Sequence, residues 1–258
     1  NLKLHQELSL ELEKEGADLI IWPESAYFAR VVAGDKDFGK RVHGPVRTPL
    51  LFGGLKLEGE EEILYNTAYL TDAKGRLLDD YDKNRLVMFG EYMPFGEAFP
   101  SLYRLSTFTN RHSPGRDTEP LTSGGIRYGI LICYEDILPG FVREASASGH
   151  EVLVNLTNDA WFGDTLQPGM HLGLSVSRAV EQRRFLVRST NTGVSAFVDP
   201  AGRIMGEIPT WEKGVLTETV RPLQGRTLYA RWGEWVPALC LVFLVCAGVL
   251  RRREGTLG

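Results

Sequence analysis

The chain has 258 residues, of which 43% are hydrophobic and 24% charged, an ordinary globular composition with enough length for one large domain or two small ones. Its net charge of −4 is spread without long runs of one sign, which disfavours a nucleic acid partner because such partners usually need a basic face. The five histidines are far apart and Cys133 is the only cysteine before an apolar C-terminal run, so we expect no disulfide in that part, no metal and no cofactor.

The chain begins with a predicted amphipathic helix, because leucines recur between charged residues up to Gly16. An apolar run at residues 17–22 then predicts a strand that stops at Pro23, which cannot donate to a β-ladder. Glu24 therefore belongs at the carboxyl end of this strand, where side chains of layered α/β proteins commonly face a ligand crevice. Similar patterns predict strands at residues 49–55, 65–70, 128–133, 152–157, 186–189, 194–198 and 214–220, and helices at 140–148 and 171–184. The arginines at 178, 183 and 184, on the second of these helices, are most simply a solvated face.

Turn sequences indicate how some of these strands are connected. Asp72-Ala-Lys-Gly75 and Asp199-Pro-Ala-Gly202 are typical of hairpins, so we expect a mixed sheet system with helical layers. Residues 86–125 show neither helical nor strand periodicity and are rich in aromatic side chains. A segment of that length without regular structure is usually a functional loop, or it contains elements that the pattern does not reveal.

Near the C-terminus, residues 236–250 form a run of 15 residues without a charge. This is shorter than the ~18–20 residues that usually span a bilayer, and a buried core helix is the alternative. Aromatic residues at 229, 232 and 235 precede the run as interfacial anchors would, and arginines at 251–253 follow it. We therefore predict a transmembrane helix over residues 229–250 and a cytoplasmic basic tail over residues 251–258, with the domain at residues 1–225 on the extracytoplasmic face.

Three residues are candidates for chemistry, each with a plainer alternative. Cys133 ends an apolar strand at an acidic turn, a position that can present a thiol beside backbone N–H groups, but free cysteine is also often a buried hydrophobic residue. Glu24 could act as a base, because a carboxylate at the edge of an apolar layer has a raised pKa, or it could be a solvated loop residue. Lys83 could stabilise an oxyanion, although most lysines are surface residues.

The candidate residues lie within longer sequence motifs. These motifs are WPESA at residues 22–26, DKNRLVMFGEYMPFGE at 82–97, ICYED at 132–136, NLTNDAWFGD at 155–164 and RSTNTG at 188–193. Several separate motifs in one order are far more specific than any single motif, so chance is a poor explanation. The sequence resembles the carbon-nitrogen hydrolase (nitrilase) superfamily, whose Glu-Lys-Cys triad occurs in this order, and more narrowly the apolipoprotein N-acyltransferase family. The resemblance covers residues 17–220 and continues into the C-terminal apolar run.

The resemblance implies the α/β class, with a nitrilase-type α-β-β-α sandwich as the catalytic domain over residues 1–225 and one C-terminal transmembrane helix after it. It implies that Cys133 is the nucleophile that carries a thioester, that Glu24 is its base and that Lys83 is its electrostatic partner. Glu91 and Glu135 match supporting positions near the triad. Two further candidates are Tyr134, whose backbone N–H would donate to the oxyanion, and Trp161, as a substrate contact.

The reaction implied by the resemblance moves a fatty acyl chain from a phospholipid to the α-amine of the N-terminal diacylglyceryl-cysteine of an apolipoprotein. The expected partners are therefore a phospholipid, an apolipoprotein and a membrane. The expected location is the bacterial cytoplasmic (inner) membrane, with the catalytic domain on the periplasmic, extracytoplasmic face. The family's N-terminal membrane helices have no counterpart in this sequence, so we expect it to be part of a longer protein.

Two other functions are compatible with the same residues. A nitrilase-type amidohydrolase would pass the acyl group to water, since the triad chemistry cannot itself distinguish water from an amine as acceptor. An inactive, membrane-tethered binding module is the second, and the presence of all three triad residues argues against it. For the aromatic residues 89–108 we consider a mobile lid or a membrane-facing wall around the acyl chain, with ordinary core packing as the alternative.

Overall fold

The computed structural model describes residues 2–59, 63–105 and 109–254, and the strands of this part form two β-sheets. The first sheet contains β1 (Ile20–Ile21), β2 (Tyr27–Val32), β3 (Leu50–Glu58), β4 (Ile63–Thr71) and β5 (Leu77–Asp82). The second contains β6 (Leu121–Ser123), β7 (Ile126–Ile132), β8 (Val152–Thr157), β9 (Leu186–Thr190), β10 (Ser195–Val198) and β11 (Ile204–Ile208). The α-helices are α1 (Leu2–Lys14), α2 (Pro139–Ala145), α3 (Gln167–Gln182), α4 (Leu228–Trp232) and α5 (Trp235–Glu254).

The strand directions bring particular carboxyl ends to the same edge of each sheet. In the first sheet, β1 and β2 pair with β3 in parallel, and β4 and β5 follow as antiparallel neighbours, so β1, β3 and β5 run the same way. In the second sheet, β7, β8 and β9 are parallel, while β6 and β10 flank them in antiparallel pairing. Loops that leave β1 and β5, and loops that leave β7 and β8, therefore lie at common edges.

The two sheets pack face to face through one set of alternating side chains. Successive side chains of a strand point to opposite faces, so Leu51 and Ile130 lie between the sheets whereas Leu50 and Leu131 face outward. The inner layer comprises Leu51, Ala68, Leu70, Tyr81, Leu121, Tyr128, Ile130, Ile132, Val152, Val154, Leu156 and Val187. Burial of each such aliphatic side chain contributes about 1.5–3 kcal/mol before entropy is counted, so this layer holds the sheets together.

Helices cover both outer faces and complete four layers. On the first sheet, leucines of α1 pack against Trp22, Phe52 and their neighbours, and the Trp22 indole donates to Ser9 Oγ at 2.8 Å. On the second sheet, Phe141 of α2 and Leu172 of α3 pack against the outward face of β7, β8 and β9. The predicted α-β-β-α sandwich is confirmed.

The predicted hairpins are also present, and their turns show why. Asp72 Oδ1 accepts backbone N–H groups from residues 74 and 76 between β4 and β5. Asp199 Oδ1 accepts N–H groups from residues 201 and 203 between β10 and β11. The strand predicted at residues 214–220 is wrong, because this segment joins no β-ladder, although the Leu216 side chain lies beside Gly206 of β11.

At the C-terminus, a break separates the two helices. α4 ends at Trp232 and is capped by Gly233, so Tyr229 and Trp232 do not lengthen α5. From Trp235 to the residue before its first arginine, α5 has 16 uncharged residues, which at 1.5 Å each measure about 24 Å against a hydrocarbon core of about 30 Å. Among the described residues, no helix is both long and apolar enough to cross a membrane, so the transmembrane helix predicted over residues 229–250 is not supported. Residues 255–258 of the predicted basic tail lie outside the described residues.

Candidate active site

Four loops at the sheet edges bring the predicted triad into one region. Glu24 follows β1, Lys83 directly follows β5 and Cys133 directly follows β7. Asn158 follows β8, and its backbone N–H donates to Glu24 Oε2 at 2.8 Å, which links the edges of the two sheets. The charges of Glu24 and Lys83 both act on the Cys133 thiol. Residues more than a hundred positions apart in sequence thus form a single cluster.

Cys133 lies at a strained turn between β7 and a 3-10 helix, Cys133–Ile137. Its φ of +50° is uncommon for a residue with a side chain and is held by the surrounding contacts. The Asn155 amide donates to the carbonyl oxygen of Cys133 at 3.3 Å and to that of Leu131 at 3.1 Å. Burial and the Glu24 carboxylate raise the pKa of the thiol to about 12, so it is neutral at pH 7 and needs a base to react.

The Glu24 carboxylate is buried and held at both oxygens. Asn66 Nδ2 donates to Oε1 at 2.7 Å, and the N–H of Asn158 donates to Oε2. The loop packs tightly on β3, because a Cβ added at Gly53 would lie 2.7 Å from the Glu24 Cα, so glycine is required there. Burial raises the pKa of Glu24 against the opposing effect of Lys83, which makes this carboxylate a stronger base than an exposed one.

Lys83 is only 1% exposed and is surrounded by carboxylates. Its Nζ donates to Glu91 Oε1 at 2.9 Å and lies 2.8 Å from Glu91 Oε2. The distance from Nζ to Glu24 Oε1 is 3.9 Å. Burial alone lowers the pKa of Lys83, but Glu24, Cys133 and Glu91 together raise it above its ordinary value. The ammonium group therefore stays charged at neutral pH.

Glu91 is the main counterion of Lys83. Besides the ammonium group, its carboxylate accepts the N–H of Val87 at 2.8 Å and Asn66 Nδ2 at 3.0 Å. Burial opposes ionisation of Glu91, but the His112 ring, 3.7 Å away, and the Lys83 ammonium group lower its pKa to about 2. Asn66 thus contacts both carboxylates beside the ammonium group, and it fixes their separation.

Glu135 connects the Lys83 loop to the Cys133 turn. Its Oε1 accepts the backbone N–H groups of Asn84 at 2.6 Å and Arg85 at 3.0 Å, while Oε2 accepts that of Ile132 at 2.8 Å. The Tyr81 hydroxyl also donates to Oε2, at 3.0 Å. Burial raises the pKa of Glu135 to about 7, in spite of these donors. Its position suits it to hold the two loops rather than to react with a substrate.

The remaining predicted residues lie at the surface of the same loops. Tyr134 follows Cys133 in the 3-10 helix, and its side chain is 38% exposed. Trp161 lies in the 3-10 helix Asp159–Phe162, three residues after Asn158, and is 72% exposed. The oxyanion role of the Tyr134 N–H and the substrate contact by Trp161 stay predictions. The described residues contain no group of three or more histidine, cysteine, aspartate or glutamate side chains arranged to hold a metal ion.

The aromatic segment borders this site through Glu91. Phe89, Phe95 and Phe99 are each more than half exposed, with Phe95 at 80%. Core packing, the alternative considered for this segment, is therefore wrong for these three side chains. Phe108 lies outside the described residues.

Sequence patterns missed several buried polar residues around the site. Asn66 lies inside a buried run of β4, and a lone amide there is the signal that could have identified it. Arg178 and Arg184 were expected on a solvated helix face, but both are buried. Arg184 donates to the carbonyl oxygens of His150 and Gly225, which explains how its charge is accommodated.

A half-buried thiol beside a buried carboxylate and a buried ammonium group, at the edge of an α-β-β-α sandwich, is the arrangement expected of the carbon-nitrogen hydrolase class. The family profile of the carbon-nitrogen hydrolases matches residues 1–228 of this chain. The chain therefore belongs to the carbon-nitrogen hydrolase family.

Curated relatives of this chain include several apolipoprotein N-acyltransferases. The chain is 35% identical to the apolipoprotein N-acyltransferase of Bdellovibrio bacteriovorus over 92% of its own length and 47% of that protein. It is 36% identical to that of Geobacter metallireducens, again over 92% and 47% of the two chains. The chain thus spans about half the length of the curated relatives it matches.

Among solved structures, a variant of the amidase from Nesterenkonia sp. AN1 in complex with butyramide is 26% identical, with a TM-score of 0.59 over 81% of this chain and 80% of that one. Another variant of that amidase, with the same identity, TM-score and coverage, shows covalent addition of the acetamide moiety of fluoroacetamide at its active site cysteine.

Proposed function

We propose that this protein is an N-acyltransferase that moves a fatty acyl chain from a phospholipid to the α-amine of the N-terminal diacylglyceryl-cysteine of an apolipoprotein. The named relatives support the substrates, since both are apolipoprotein N-acyltransferases. The observation that carries the chemistry is the Glu24 carboxylate, held by Asn66 and the Asn158 N–H beside Lys83 and the Cys133 thiol.

In the first half-reaction, Cys133 Sγ attacks the ester carbonyl of the phospholipid. Glu24 takes the thiol proton, which it can do because its own pKa is raised. The carbonyl oxygen becomes an oxyanion, which the Lys83 ammonium group and the Tyr134 backbone N–H stabilise. When the C–O bond to the lysolipid breaks, the departing oxygen takes the proton from Glu24, and a thioester on Cys133 remains.

In the second half-reaction, the neutral α-amine of the acceptor attacks the thioester carbonyl. Glu24, again a carboxylate, takes a proton from the attacking nitrogen. The C–S bond then breaks, the Cys133 thiolate recovers that proton from Glu24, and the acceptor leaves with an amide bond. The two acyl transfers share one site, so the kinetics should be ping-pong.

Intact-mass measurement after incubation with phosphatidylethanolamine tests this mechanism. We expect one added acyl mass that neutral hydroxylamine removes, and no hydroxylamine-labile adduct on Cys133→Ser. A peptide with an N-terminal diacylglyceryl-cysteine should then gain the same acyl mass through a hydroxylamine-resistant amide. A folded protein that acquires no acyl group on Cys133 would contradict the proposal.

A second candidate is an amidase that passes the acyl group to water. The observation in its favour is the likeness to the Nesterenkonia amidase at 26% identity. Ammonia release from acetamide or butyramide distinguishes the two functions. We expect amide hydrolysis to be slow beside acylation by phospholipid, and the opposite order would favour the amidase.

We also propose that the protein acts at the bacterial cytoplasmic membrane, with the sandwich on the extracytoplasmic face. The relatives' acceptor is a lipidated protein by name, which supports a membrane location. The apolar side chains of α5 from Val236 to Val245 are largely exposed, and lipid would remove them from water. Fractionation of cells, with protease added to intact spheroplasts, tests both the location and the side.

A further inference from the structure

A second cluster of charged side chains lies beneath the Cys133 turn and takes no part in the chemistry described above. We call it the Arg188 cluster. Its members, all buried, are Asp136, Asn155, Asp159, His171, Ser175 and Arg188. They come from the 3-10 helix after β7, from β8 and the turn that follows it, from α3 and from β9. Burial of so many polar groups is costly unless each has a partner, so the bonds between them are informative.

His171 occupies the centre of the cluster, because each of its ring nitrogens meets a carboxylate. Nδ1 lies 2.9 Å from Asp159 Oδ1, and Nε2 lies 2.9 Å from Asp136 Oδ1. Carboxylate oxygens only accept hydrogen bonds, so both ring nitrogens must carry a hydrogen and the imidazole is a cation. Burial lowers the pKa of His171, but the two aspartates raise it further, to about 9.

Arg188 completes the charge balance. Its Nη1 donates to Asp136 Oδ2 at 2.7 Å and to Asn155 Oδ1 at 2.7 Å, and its Nη2 donates to Asp159 Oδ2 at 3.1 Å. Two carboxylates therefore face one guanidinium and one imidazolium group. A neutral His171 would leave one negative charge without compensation in a buried site.

The two aspartates lie close in sequence to the Cys133 thiol and to the backbone N–H that holds Glu24. Asp136 is three residues after Cys133 in the same 3-10 helix. Asp159 directly follows Asn158, whose backbone N–H fixes Glu24. His171, on helix α3, is therefore bonded to the turn that presents the thiol and also to the turn that orients its base.

We propose that His171 is a positioning residue, whose imidazolium cation holds the Cys133 turn and the Asn158 turn at the separation that proton transfer from the thiol to Glu24 requires. His171 touches neither the thiol nor Glu24, and it acts through Asp136 and Asp159. The inference rests on the proposed function only in treating Glu24 as the base for Cys133.

Alkylation of the Cys133 thiol by iodoacetamide provides a test that needs no acyl donor. The rate is followed by mass spectrometry of the tryptic peptide 128–143, which separates Cys133 from Cys240 and Cys246. In His171→Gln we expect alkylation to be about tenfold to a hundredfold slower, because misplacement of a reacting group by about 1 Å has effects of this size. For acyl transfer we expect kcat to fall by a similar factor with little change in KM.

His43→Gln is the matched control. His43 is also buried, and its Nε2 lies 2.7 Å from Thr71 Oγ1, but it adjoins Val42, which packs in the outer layer of the first sheet. A purely structural loss would lower the melting temperature of both variants and leave alkylation in the folded state unchanged. Alkylation of folded His171→Gln within twofold of the unaltered protein overturns the proposal.

If His171→Gln does not fold, two further measurements test the positioning role of His171. In the unaltered protein, ¹⁵N shifts of the His171 ring should show both nitrogens protonated at pH 7.5, and a neutral ring overturns the proposal. Asp159→Asn, which keeps the size of the side chain, should also slow alkylation, and an unchanged rate overturns it. Loss of acyl transfer from every donor, with the alkylation difference preserved, would refute the proposed function and leave this inference standing.

Discussion

Replacement of Glu91 by glutamine should lower the free energy of unfolding by an amount that depends on pH. Glutamine has nearly the same shape as glutamate, so packing changes little. The substitution removes the negative charge that lies 2.8 Å from Lys83 Nζ and leaves a buried ammonium group with Glu24 at 3.9 Å as its nearest carboxylate. Removal of one partner of a buried pair is costly because the other charge stays desolvated.

The size and sign of the effect follow from the pKa of Glu91. It falls from 4.5, the ordinary value, to about 2 in the folded protein, which corresponds to about 3 kcal/mol of stability. Because the folded pKa is the lower one, this stability is fully present above pH 4.5 and is lost as the pH falls towards 2. Glu91→Gln should therefore cost about 3 kcal/mol at pH 7 and progressively less below pH 4.5.

Urea unfolding at pH 7, 5, 4 and 3, with tryptophan fluorescence as the signal, measures this difference. Glu97→Gln is the control, since Glu97 is exposed on the same loop and its loss should change stability by at most about 0.5 kcal/mol. A deficit that stays constant from pH 7 to pH 3, or one no larger than that of Glu97→Gln at pH 7, would refute the assignment of Glu91 as the counterion of Lys83.

Three further substitutions test other parts of the site. Gly193→Ala should destabilise the fold by about 1–3 kcal/mol, because the new Cβ would lie 2.1 Å from Asp159 Oδ2. An unchanged melting temperature would contradict the close packing of Gly193 against Asp159. Asn66→Ala removes the 2.7 Å hydrogen bond to Glu24 and should lower kcat about tenfold, which corresponds to about 1.4 kcal/mol. A change in KM alone would argue against the role of Asn66 in holding the Glu24 carboxylate. Phe95→Ser, at an exposed position, should lower turnover of a long-chain phospholipid more than that of a short-chain ester, and equal losses would exclude a contact with the acyl chain.

The sequence was informative wherever a local pattern has one physical cause. An apolar run that ends at Pro23 predicted the edge position of Glu24, and an apolar run that ends in an acidic turn predicted the elbow at Cys133. Aspartate and glycine at the ends of β4 and β10 predicted two hairpins, since these residues form the turn by their own side chains and backbone. The layered architecture followed from the resemblance of separate motifs in one order.

Local patterns failed where a residue's environment comes from distant segments. Arg178 and Arg184 looked like a solvated face because helical spacing says nothing about which loops cover a helix, and both are buried. The C-terminal run was too short to decide between a membrane span and another helix, and the break at Gly233 prevents the aromatic residues before it from extending α5.

By itself, the sequence determined most of the strands, the turns of two hairpins and the three side chains that are candidates for chemistry, although it missed β2 and wrongly placed a strand at residues 214–220. Those properties depend on neighbours in the chain, whose periodicity and turn preferences are local. The tertiary structure alone decided that Asn66 bridges two carboxylates, that Glu91 pairs with Lys83 and that His171 joins the turns after β7 and β8. The physical reason is that charge balance and hydrogen-bond geometry in a buried site arise only when segments far apart in sequence exclude water together.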